Sequence, residues 1–247
     1  SSCEIFASSK KMKNEKSKME PSSPYGLSKL ITFYFTKFYR EQYKLKCFSS
    51  IAFHHESILR KKNFLIPKII DAAKKISNNK KKKLYLDNIN NIKDWGWPPE
   101  YVNLIYRIMQ KNISGDFVIG TGKSVSIRYL LNLVFKVFNL NWKEFVVVNK
   151  KYIRARDINE SRADISKIKF FLKWTPKSYV EDVVKKLILN VFGIFYSKNI
   201  FSRIWKLKKL VGVFENLELK VVKARYAEEK TQIDEFLDRS VADSLRK

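Results

Sequence analysis

Short apolar runs alternate along this chain with longer runs whose apolar residues recur every three or four positions, and that alternation constrains the fold more than any single residue does. Cys47 to Phe53, Phe117 to Gly120 and Phe145 to Val148 read as strands, with shorter extended pieces at Leu84 to Leu86 and around Asp94. Helices are expected from Tyr25 to about Tyr43, from Asn63 to Ile76 with Leu65, Ile69, Ala72 and Ile76 on one side, and from Pro98-Pro99 to Gln110. Two more follow: Ser126 to Phe138, amphipathic through Leu130, Leu133, Val134 and Val137, and a helix capped by Asp164 that ends before Trp174. Ser178 starts a last one, running to about Leu189. Strands separated by helices pair in parallel, because the crossover returns the chain to the same end of the sheet. The expected class is therefore α/β: a partial Rossmann-type parallel sheet, a smaller α/β substrate-binding lobe and a helical C-terminal tail.

Ser1 to Phe6 read as the end of a strand, with Ser2 and Glu4 pointing to one side where open α/β sheets hold their ligands. A polar, lysine-rich loop follows to Glu20. The texture changes after Asn190: Phe192 to Phe214 is aromatic and basic, and Glu215 to Lys247 is charged, with a helical pattern from Glu228 to Leu245. The expected division is 1–189 as an enzyme domain and 190–247 as a separate tail.

Ser22-Ser23-Pro24 is a helix entry, which puts Tyr25 in the first turn. Lys29 lies four residues on, so its ammonium stands on the same face as the phenol and favours the phenolate. Such a pair can serve as a general base, although an ordinary tyrosine and lysine on a helix surface share the spacing. Tyr226 and Lys230 repeat the spacing with nothing chemical around them.

Other signals exclude more than they assign. No uncharged apolar stretch reaches the roughly 18 residues of a membrane span, the longest being Leu187 to Tyr196. Cys3 and Cys47 fit neither a disulfide framework nor a zinc pattern, so a cytoplasmic setting is expected. The net charge of +26 invites a polyanionic partner. The lysines are scattered, however, and only Lys80 to Lys83 form a run, so no specific nucleic-acid partner is expected. Gly120-Thr121-Gly122-Lys123-Ser124 looks like the end of a phosphate-binding loop, but Phe117 stands where that pattern needs glycine. A strand-to-helix connection capped by Ser124 or Ser126 is expected instead. His54 and His55 are adjacent and would point to opposite faces of a strand, so no metal site is expected on the two.

At Ser2-Cys3-Glu4, Tyr25-Gly26-Leu27-Ser28-Lys29, Phe53-His54-His55-Glu56-Ser57, Asp94-Trp95-Gly96 and Asp116 to Gly122 the chain resembles the GDP-mannose 4,6-dehydratases, extended short-chain dehydrogenase/reductase enzymes. The resemblance runs from Ser1 to about Leu189. It implies a lyase with catalytic Ser2, Glu4, Tyr25 and Lys29, and NADP as a hydride shuttle held by Tyr25, Lys29, His55 and Arg60. His54, Lys68, Lys93, Arg154 and Asp157 are the implied contacts to GDP-mannose. It also implies a homo-oligomer.

The departures from that family bear on substrate affinity. His54 stands where the family has asparagine, Lys93 where it has arginine, Asp157 where it has glutamate, and Leu59-Arg60-Lys61 where it has Arg-Arg-Gly. The chain has 7 glycines and no Gly-x-x-Gly-x-x-Gly turn. The expectation is therefore the C-terminal part of a longer enzyme. The alternatives are a nucleotide-sugar epimerase or reductase, in which Glu4 would be dispensable, and a noncatalytic basic protein that binds nucleic acid or membrane through its lysines and tail.

Overall fold

The computed structural model describes residues 1–149 and 159–191. Arg154, Asp157 and all but two residues of the 190–247 tail lie outside them. After a 3-10 turn at Cys3–Ile5 come α1 (Pro24–Gln42), β1 (Phe48–Ala52), β2 (His54–His55), α2 (Leu65–Asn78), β3 (Leu84–Leu86) and β4 (Ile92–Gly96). The order continues with α3 (Pro98–Gln110), β5 (Gly115–Ile119), β6 (Ser124–Ser126), α4 (Ile127–Val137), α5 (Trp142–Phe145), β7 (Val146–Val148), β8 (Glu160–Ser161), α6 (Ser166–Leu172) and α7 (Val180–Val191).

Local chemistry sets several of these boundaries. The Ser23 hydroxyl accepts from Gly26 N at 3.0 Å, and Pro24 follows at a position where a missing N–H costs nothing. Pro98 does the same for α3, and the Ser126 hydroxyl caps α4 through Tyr129 N at 3.1 Å.

β1 and β5 pair in parallel, Phe48 opposite Gly115 through Ala52 opposite Ile119. β1 then runs into β2 with only Phe53 between them, and its partner changes. Phe53 N still donates to Ile119 O at 2.8 Å, but His54 and His55 lie opposite Trp95 and Gly96 of β4. β4 also pairs with β6 (antiparallel) and β8 (parallel), while β3 and β7 form a separate parallel pair. The α/β class with parallel pairing is thus as the sequence implies.

Two apolar clusters hold this arrangement. Ile51, Phe53, Phe117, Val118 and Ile119 are buried with Ile5, Phe6, Phe33, Leu104, Ile108 and Ile168. Around the packing of α2 on α4 and α7, Ile66, Ile69, Ile70, Ile76, Leu131, Val134, Val184 and Ile188 are buried. Each such side chain contributes roughly 1.5–3 kcal/mol relative to exposure. The buried stripe of α2 is rotated from the expected one, since Leu65 and Ala72 are only half-buried.

The opening residues correct the expectation of a strand end. Ser2 bridges Ala52 in parallel, but the chain then tightens, with Ile5 N donating to Ser2 O and Phe6 N to Cys3 O at 3.2 Å each. The Ser2 hydroxyl accepts from Glu4 N at 3.3 Å, so this serine caps a turn instead of continuing a strand. Ser2 is still extended, with φ −142° and ψ 152°, while Glu4 lies inside the turn, so the strand alternation expected of the two does not hold. The lysine-rich loop is also tied down. Glu20 N donates to Ile5 O at 2.9 Å, and the Glu15 carboxylate accepts from Val118 N at 2.8 Å, covering part of β5. No described helix is long and apolar enough to cross a membrane.

Candidate active site

The first turn of α1 rests on the 3-10 turn. A Cβ on Gly26 would stand 2.5 Å from the Glu4 carbonyl oxygen and 2.9 Å from the Pro21 Cβ, so only glycine permits the approach. Tyr25, on one side of this contact, is 55% exposed. Lys29 lies over its ring, the ammonium 5.4 Å from the centroid, and the Ser1 hydroxyl donates to Lys29 O at 3.1 Å. The i, i+4 pair therefore forms as expected, on a turn in backbone contact with Glu4.

His54 stands between Cys3 and Glu4. Its Nδ1 is 3.2 Å from Cys3 Sγ, and its Nε2 is 3.7 Å from Glu4 Oε1, beyond hydrogen-bond range. Burial first, then the positive charges of Lys93, His55 and Arg60, hold the His54 imidazole well below its ordinary value, so it is neutral at pH 7. Burial pushes the Cys3 thiol up to about 12, helped by the Glu4 charge and opposed by the Ser161 hydroxyl, Lys93 and Ser2. Cys3 is thus a buried thiol rather than a thiolate. One atom each from Cys3, Glu4 and His54 falls within 4.8 Å of the others, a clustering not legible in the sequence.

His55 turns its Nδ1 to Phe53 O at 2.9 Å; a carbonyl only accepts, so Nδ1 carries the proton. Its ring meets Tyr101 edge to face, the centroids 5.6 Å apart. Arg60 donates from Nε to the buried Glu56 carboxylate at 2.7 Å and stacks on Phe64 at 4.1 Å. Burial raises Glu56, with the Arg60 hydrogen bond opposing. Lys93, on β4, is close enough to Cys3 and His54 for its charge to bias the protonation of both. Lys68 belongs to other surroundings. Its ammonium donates to Tyr85 O at 3.0 Å and lines a cavity of about 330 Å³ with Lys62, Asp71, Lys75, Lys82 and Lys83. The structure therefore groups Ser2, Glu4, His54 and Lys93, sets Tyr25 and Lys29 on the adjoining turn, and leaves Lys68 with other partners. Arg154 and Asp157 lie outside the described residues.

Asp94 is the group that sequence reasoning left without a role. It is fully buried, and its carboxylate accepts from Thr121 N at 3.0 Å, Thr121 Oγ1 at 2.7 Å and Gly122 N at 2.8 Å. Gly122 has φ +75°, a left-handed backbone that lets the turn aim both amides at one carboxylate. Amides that would cradle a phosphate are thereby occupied by the protein's own anion. The turn joins β5 to β6, and Ser126 caps the helix behind it.

The family model for GDP-mannose 4,6 dehydratase matches residues 1–187. GDP-mannose 4,6 dehydratase 1 of Arabidopsis thaliana is 35% identical over 187 residues, covering 76% of this chain and 52% of the relative. The chain spans about half the length of the curated relatives it matches. The fold is similar to that of dTDP-glucose 4,6-dehydratase from Bacillus anthracis, solved in complex with NAD (TM-score 0.67, 19% identity, 76% of this chain and 58% of that one). It is also similar to RMD from Pseudomonas aeruginosa, solved with NADPH (TM-score 0.64, 16% identity, 76% and 63%).

Proposed function

The chain belongs to the GDP-mannose 4,6-dehydratase family, and from that premise we propose that it serves the NADP-dependent conversion of GDP-mannose to GDP-4-keto-6-deoxymannose. The observation that carries the reading is the seating of Gly26 on the Glu4 carbonyl, which brings the turn bearing Tyr25 and Lys29 against the turn bearing Ser2 and Glu4. Dehydration of a sugar requires a base for the O4 proton and a second base for the C5 proton. A phenol and a carboxylate on adjoining turns are that combination.

The donor set suits one end of a nicotinamide dinucleotide. An exposed Tyr25 hydroxyl and the Lys29 ammonium offer hydrogen bonds to the nicotinamide ribose, with His55 and Arg60 as further contacts. The 247 residues contain no glycine-rich turn for the pyrophosphate, so the fit concerns the nicotinamide end alone. Bound there, the nicotinamide supplies a reversible hydride acceptor.

The protein's own groups move the protons. Tyr25 takes the O4 proton, Lys29 stabilises the resulting phenolate, and Ser2 hydrogen-bonds O4. Glu4 removes the proton from C5, acidified by the adjoining ketone, and gives it to the departing C6 hydroxyl, which leaves as water. Tyr25 then delivers the O4 proton it holds to C5 as hydride returns to C6, so that no net proton is consumed. Lys93 contributes positive charge for the nucleotide diphosphate, and His54, Lys68, Arg154 and Asp157 complete the proposed substrate contacts. A cytoplasmic setting belongs to the same reading, supported by the free thiols of Cys3 and Cys47.

The chain joined to the N-terminal half of the Arabidopsis relative, given GDP-mannose and NADP, is expected to yield a product lighter by one water. Glu4→Gln and Tyr25→Phe are each expected to lower its formation by about 10²-fold or more, measured by mass spectrometry. A folded fusion that binds GDP-mannose and releases no such product overturns the assignment, and undiminished turnover of Glu4→Gln points to an epimerase or reductase.

A further inference from the structure

The grouping of Cys3, His54 and Glu4 exceeds what dehydration requires. A sugar dehydratase needs the carboxylate, but it has no use for a buried thiol 3.2 Å from an imidazole nitrogen. We propose that Cys3, His54 and Glu4 form a binding site for a divalent transition-metal ion of the zinc type.

The donor set is the first reason. A sulfur, an imidazole nitrogen and a carboxylate oxygen are the mixed soft and borderline ligands that select zinc, cobalt or copper over magnesium or calcium. Geometry is the second. Bonds of about 2.3 Å to sulfur and about 2.0 Å to nitrogen at a tetrahedral ion place those atoms roughly 3.5 Å apart. The Cys3 Sγ to His54 Nδ1 distance is 3.2 Å, so this pair needs to open by only a few tenths of an ångström. All three donors lie within 4.8 Å of one another; Glu4 Oε1 sits nearest Nε2, at 3.7 Å, so its side chain, 26% exposed, has to swing along the ring edge to reach an ion held between Cys3 Sγ and Nδ1.

Three protein donors leave the fourth position for water, the pattern of an open zinc site. As the sulfur–metal bond forms, the thiol proton passes to solvent. The thiolate and the carboxylate then balance the ion's two charges, which offsets the repulsion from nearby Lys93 and Arg60.

The site stands on its own distances and does not depend on the dehydration reading. If both hold, they compete, because an ion that takes the Glu4 carboxylate removes the proposed C5 base. Zinc would then be an inhibitor of this chain at the residue that does its chemistry.

Cobalt(II) tests the site directly, without reference to activity. Titrated into the 247-residue chain under reducing conditions, it is expected to bind one equivalent, develop a thiolate-to-cobalt charge-transfer band with tetrahedral visible absorption, and release one proton. Zinc should displace it. Cys3→Ser is expected to abolish the charge-transfer band, and His54→Asn to weaken binding by about 100-fold or more with the circular dichroism unchanged. Saturation with cobalt that gives no charge-transfer band in the unaltered chain overturns the proposal, whatever the variants do. A band that survives in Cys3→Ser overturns it too, since Cys47 would then be the ligand.

Discussion

Asp94 is the residue on which the local architecture most depends. Burial holds its carboxyl up at about 6 from an ordinary 3.8, against the hydrogen bonds from Thr121, Gly122 and Ala163. Between those values the folded carboxyl keeps a proton that the unfolded one has released, so protonation favours the folded state. The contribution is complete below pH 3.8 and disappears as pH rises through about 6, a span worth about 3 kcal/mol. Asp94→Asn cannot titrate, and it turns an NH₂ toward donors that need an acceptor. It is expected to cost about 2 kcal/mol at neutral pH, with the gap to the unaltered protein widening as pH falls toward 4, read from urea midpoints. Asp94-Trp95-Gly96 was legible as a family motif, but its partners lie 27 and 28 residues away at Thr121 and Gly122, where sequence periodicity carries no information.

At the scale of elements, three helices were readable from their own start signals, Ser23-Pro24 for α1, Pro98 for α3 and Ser126 for α4, whereas α2 begins without a side-chain cap and was read from its apolar period. The 3-10 turn was not, because buried residues at 3 and 5 satisfy a strand's alternation as well as a tight turn's. Nor was the meeting of Cys3 with His54, which depends on the register that sets Ser2 beside Ala52 and carries the chain on toward His54. The approach of α1 to this turn hangs on Gly26. In Gly26→Ala the added methyl meets a backbone oxygen, which cannot swing aside as a flexible side chain does. Stability is expected to fall by about 1–3 kcal/mol. In the active fusion, turnover should fall more steeply than GDP-mannose binding, because the displaced turn carries Tyr25 and Lys29; equal losses in both would count against that placement.

For the whole molecule, α1 presents a second consequence. Leu27, Ile31, Tyr34, Phe35 and Phe38 are all exposed on one helix, an apolar surface larger than a solvated helix needs. We propose it as the face on which the homo-oligomer implied by the family resemblance would pair. Phe35→Glu with Phe38→Glu is expected to shift the chain to monomer in sedimentation velocity while leaving its circular dichroism intact. A distribution unchanged by both charges would place the contact on another surface.

The passage of β1 into β2 through Phe53 has a mechanical meaning. One extended segment is bolted to Ile119 at Phe53 and to Trp95 at the next residue. His54 therefore rides on a beam clamped at both ends, so that the imidazole is a fixed post and the turns around it are the parts left free to adjust.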